Sequence, residues 1–155
     1  MPRLSRIAAA IALVLFGAGA IGAQTITVSG NPGLQRVSAA IAGSEPTAPA
    51  PDASRTFTVT TPSVAGNQKY QILMSMNANM PANVTLTATL GVPPGSQGVS
   101  TGAITLDVTP RALLTSLKKN ITGTASITYQ LTATVAAGVV PLTSRTVTFT
   151  VTTFP

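Results

Sequence analysis

The sequence predicts an all-β domain, an antiparallel two-sheet sandwich of seven to eight strands, and three observations predict it. Threonine alternates with apolar residues in Thr25-Ile26-Thr27-Val28, Thr56-Phe57-Thr58-Val59-Thr60 and Thr146-Val147-Thr148-Phe149-Thr150-Val151-Thr152. Side chains along a strand point to opposite faces in turn, so each run offers one face to a core and one to water. Clusters of Gly, Pro and Asn interrupt these runs at short intervals, as the turns of a sandwich or barrel do. The third observation is length: a single domain of this size buries enough surface to fold on its core without disulfides, and the chain has no Cys.

Residues 1–23 read as a cleaved signal peptide. Arg3 and Arg6 supply a basic start, Ile7 to Phe16 form an apolar run of ten residues, and Ala18-Gly19-Ala20-Ile21-Gly22-Ala23 approach a cleavage site before Gln24. The uncharged stretch from Ile7 to Ala23 is short of the roughly 20 apolar residues that a spanning helix needs. No second stretch of spanning length follows, so no stable membrane insertion is expected after cleavage. What remains, residues 24–155, is expected to be one soluble β-sandwich domain, secreted to the cell surface, the medium or the periplasm.

The strands follow in order. Thr25 to Ser29 is stopped by Gly30-Asn31-Pro32-Gly33, and Leu34 to Ala42 is a less regular apolar stretch with the character of an edge. Ser44 to Ala53 holds three prolines, which cannot donate ladder hydrogen bonds, so it is an extended loop. Arg55–Thr61 is a strand closed by Pro62. Lys69–Met76 is another, with Tyr70, Ile72, Met74 and Met76 on one face. Val84–Leu90 alternates cleanly, and Ala103–Val108 places Ile104, Leu106 and Val108 inward.

Thr109-Pro110-Arg111-Ala112-Leu113-Leu114 carries a helix-start signal, Thr as cap and Pro at the first helical position, and predicts a short helical turn. Ala125–Ala136 and Leu142–Thr153 are the last two strands, expected to form a hairpin around Gly138 and Pro141. The final strand is long, β-prone and carries one charge, Arg145. It is therefore expected either at the centre of a sheet or at an interface.

In strand number and spacing the chain resembles a bacterial secreted immunoglobulin-like β-sandwich domain. It lacks the Cys–Trp–Cys core of antibody domains. The resemblance implies two antiparallel sheets around one core and says nothing of a catalytic site.

Composition excludes most chemistry. There is no His for imidazole-assisted nucleophiles, and the usual ligands of zinc, haem and iron–sulfur groups are missing. The three carboxylates, Glu45, Asp52 and Asp107, form no acidic cluster in sequence. No catalytic, cofactor-binding or metal-binding residue is assigned, no cofactor is expected, and the chain is read as no enzyme. Beyond residue 23 the basic residues are Arg36, Arg55, Lys69, Arg111, Lys118, Lys119 and Arg145, seven against three acids, for a net charge of +4. They are scattered, and aromatic residues are few, so nucleic acid is not an expected partner. Lys69, Lys118 and Lys119 fall near turns and are expected to be solvated. Asn83-Val84-Thr85 and Asn120-Ile121-Thr122 match the N-glycosylation sequon, a match that arises readily in a Thr-rich chain.

Two functional classes remain. One is a structural or adhesive surface protein whose partner is itself or another extracellular protein, engaged through a strand edge. The other is a ligand- or carbohydrate-binding module. Sugar sites stack on exposed aromatics, and Phe57, Tyr70, Tyr129 and Phe149 all fall on expected core faces, leaving Phe154 at the end.

Overall fold

The structure is a computed structural model that describes residues 23–32, 35–38, 43–141 and 143–155. Residues 1–22, most of the expected signal peptide, lie outside the described residues, as do Leu34 and residues 39–42 of the expected second strand. Of that stretch, Ser38 makes an isolated antiparallel bridge to Thr47.

The regular structure of the described chain is strand apart from one 3-10 turn: β1 Thr25–Val28, β2 Asp52–Thr61, β3 Lys69–Met76, β4 Val84–Leu90, β5 Val99–Ser100, β6 Ile104–Thr105, β7 Arg111–Lys118, β8 Ile121–Ala133 and β9 Val147–Phe154. Seven of them are four residues or longer, while β5 and β6 are two-residue segments. They form two antiparallel sheets, one of order β1-β2-β8-β4-β6 and one of order β5-β7-β3-β9. Alternation sets the core. Phe57 and Val59 of β2, Leu90 of β4 and Ile127 and Tyr129 of β8 come from the first sheet. Tyr70, Ile72 and Met74 of β3, Leu114 and Leu117 of β7 and Val151 of β9 come from the second.

Tyr129 is buried beside the cross-strand position of Asp52. Burial, and then the negative charge of Asp52, push its phenol up from 10.0 to about 12. On β8, Gly123 leaves room for Pro93: a Cβ there would sit 2.7 Å from the Pro93 Cβ. That close approach explains a glycine in the middle of a strand.

Three expectations are corrected. Thr109 to Leu114 forms no helical turn: Arg111 begins β7. The Thr109-Pro110 cap pattern misled because the residues after it pair with β3, and Leu113, Leu114 and Leu117 are all fully buried at a spacing that a regular strand does not give. The strand achieves it with two bulges against β3, where Tyr70 opposes Leu117, Ile72 opposes Leu114 and Leu73 opposes Ala112. Each step inserts one extra residue in β7, and Ser116 takes up the irregularity at φ 59.

The last two strands form no hairpin. β8 lies in one sheet and β9 in the other, and the segment between them crosses over through a 3-10 turn at Val135–Ala137. Ala103–Val108 shortens to Ile104–Thr105, with Leu106 buried but Val108 51% exposed. The Asp107 carboxylate accepts from the Thr109 N–H and the Arg111 guanidinium there, which bends the chain out of the ladder.

Candidate functional site

Four surface features present themselves, and the first is a sheet edge. β9 ends the four-stranded sheet, paired on one side with β3 in unbroken register from Lys69↔Phe154 to Met76↔Val147. The Asn77 N–H donates to the Thr146 carbonyl at 3.0 Å, so Thr146 faces β3's side. Backbone groups alternate along a strand. Thr148, Thr150 and Thr152 therefore bond to β3, while Val147, Phe149, Val151 and Thr153 turn their N–H and C=O groups to the outer edge.

The Gln24 amide confirms this direction by donating to the Val151 carbonyl from outside at 2.8 Å. The Gln71 amide approaches the Thr153 carbonyl at 3.4 Å. Among the described residues no backbone group pairs with this edge. The side chains of Val147 and Phe149 pack against the core yet remain only half-buried, and β1 of the other sheet approaches β9 without a backbone ladder among the described residues.

The other three edges are short: β1 has four residues, and β5 and β6 two each. Short edge strands are a standard protection against intermolecular pairing, together with Lys, Pro and bulges. β9 has none of these over its eight residues Val-Thr-Phe-Thr-Val-Thr-Thr-Phe.

The second feature is a Thr face. On the five-stranded sheet Thr27, Thr58 and Thr124 line up across β1, β2 and β8, and Thr25, Thr60 and Thr122 form the next row. The hydroxyls of Thr58 and Thr124 are 2.7 Å apart and those of Thr60 and Thr122 3.1 Å. Such pairs stabilise a sheet by about 0.2–1 kcal/mol each, which accounts for Thr on these strands without a ligand.

The third is a cleft of about 520 Å³ lined by Asn67, Gln68, Lys69, Gln97, Lys118, Lys119 and Asn120. Residues expected to be scattered and solvated meet here, since Lys69 and Lys118 are direct cross-strand partners. Lys69 Nζ approaches Gln97 Oε1 at 3.4 Å, and Lys119 Nζ donates to the carbonyls of Val64 and Gly66. The three carboxylates are engaged elsewhere: Glu45 with the Val135 N–H, Asp52 with Ser54 and Asp107 with Arg111.

The fourth is a smaller cleft of about 270 Å³ beside Asn79, Met80, Leu106 and Asp107. The Arg111 guanidinium, and then the Thr109 N–H, hold the Asp107 carboxyl below its ordinary 3.8. This is a turn-closing ion pair. Among the described residues no three of His, Cys, Asp and Glu come close enough to hold a metal ion. No helix among them is long and apolar enough to cross a membrane.

Both sequon asparagines sit in turns at positive φ, Asn83 at 62° and Asn120 at 54°. Asn tolerates that region better than most residues, so the turns explain them. Phe57, Tyr70 and Tyr129 are buried and offer no stacking platform. The chain matches no protein-family model, no curated protein and no solved structure.

Proposed function

We propose that this chain is a secreted, non-enzymatic structural or adhesive surface protein, an immunoglobulin-like sandwich that associates with other copies through the outer edge of β9. The observation that carries the reading is that edge: eight residues without charge, proline or bulge, with no backbone partner among the described residues, while every other sheet edge described is short. A sheet that ends so openly, in a chain read as exported, is built to be continued by another chain. The Thr-rich outer faces and the low charge suit a protein that works by contact.

Thr25–Val28 pairs with β2 of its own chain. With Thr25–Val28 engaged in its own sheet, β9 is the edge to which the association is assigned.

Amide hydrogen exchange on the exported protein tests the reading. In dilute solution the amides of Thr148, Thr150 and Thr152 are slow and those of Phe149 and Val151 fast. Raising the protein concentration is expected to slow Phe149 and Val151 selectively. Exchange at these two amides that is independent of concentration contradicts the proposal.

A further inference from the structure

We infer that β9 pairs antiparallel with the β9 of a second copy across a two-fold axis at Thr150, giving a closed dimer and no open filament. The inference rests on the proposed edge association and names its partner strand and register. An eight-residue edge needs a partner edge of similar length. On this chain β1, β5 and β6 offer four, two and two residues, so the only long edge available among the described residues is β9 itself.

A strand that pairs with its own copy forms an isologous contact, which closes after two subunits. β9 carries no charged residue from Val147 to Phe154, so nothing repels at close approach across the axis.

The register follows from which groups face outward. Antiparallel pairing exchanges both hydrogen bonds only between residues whose N–H and C=O point to the partner, here Val147, Phe149, Val151 and Thr153. Pairing Val147 with the copy's Thr153 and Phe149 with its Val151 uses all four, and it puts Thr150 opposite itself. A shift of two residues one way brings Pro155, which has no N–H, opposite Val147. A shift the other way carries the pairing onto Arg145, outside the strand.

In the chosen register the half-buried Phe149 of one copy adjoins the buried Val151 of the other, and together they cover the open side of each core. The Gln24 amide, which occupies the Val151 carbonyl in the single chain, has to give way.

Because the chain has no native Cys, one introduced thiol reports the axis. Thr150 is exposed on the outer face, and a position meeting itself in a non-hydrogen-bonded pair lies within disulfide range. Thr150→Cys in the full exported chain is expected to convert to a covalent dimer under mild oxidation. Thr148→Cys and Thr152→Cys are expected to cross-link efficiently only when mixed. Thr132→Cys, exposed on the other sheet, is the control for random collision and stays monomeric.

If Thr150→Cys cross-links no faster than the control while Phe149 and Val151 still gain concentration-dependent protection, the two-fold register is wrong and the edge association stands. If neither signal appears, both fail. Covalent ladders beyond the dimer overturn the closed arrangement.

Discussion

Replacing Phe57 with alanine is expected to lower the unfolding free energy by about 3–5 kcal/mol. Phe57 is fully buried in the middle of β2, opposite Val28 of β1 and Ala125 of β8. Its ring joins the cluster that both sheets share, and strands on either side leave little freedom to collapse into the vacated space. Denaturant unfolding of the parent and the variant checks this. A loss under about 1 kcal/mol, the level of ordinary surface changes, contradicts the shared core.

Raising the pH through the range 10 to 12 is expected to remove about 2–3 kcal/mol of stability through Tyr129 alone. Its folded value, about 12, lies above the value of 10.0 it takes when exposed. The stabilising contribution is therefore complete below pH 10 and is lost as the pH climbs toward 12, where the unfolded chain releases the proton first. Other groups titrate in this range, so the readout is the difference between the parent and Tyr129→Phe. The variant is expected to show the shallower decline, and equal slopes would place Tyr129 in solvent.

The sandwich was legible wherever a strand alternates strictly. Tyr70, Ile72, Met74 and Met76 occupy the buried face of β3 as their period of two requires, and the pattern from Val84 to Leu90 is β4 residue for residue. Reading failed at β7 because two bulges break the period. A local pattern cannot reveal a bulge whose cause is the partner strand, here β3, whose Tyr70, Ile72 and Leu73 oppose Leu117, Leu114 and Ala112.

It failed again at the crossover from β8 to β9, because turn residues such as Gly138 and Pro141 mark a reversal and carry no information about which sheet receives the next strand. The candidate site shared this limit. The composition of β9 marked it as central or interfacial, but its place at an edge depends on sheet order. The lysine cleft depends on Lys69 and Lys118 becoming cross-strand partners 49 residues apart in sequence.

The central claim is that the outer edge of β9 is where copies of this protein meet. Molar mass by light scattering across protein concentration, on the exported chain and on its Thr150→Lys variant, tests it most directly. Thr150 points away from the core, so a lysine there leaves the fold intact and places like charges together at the edge, the protection that the natural strand lacks. The parent is expected to rise from the mass of one chain to that of two, and the variant to remain at one over the same range. A parent that stays at one chain throughout, or a variant that associates as the parent does, contradicts the account.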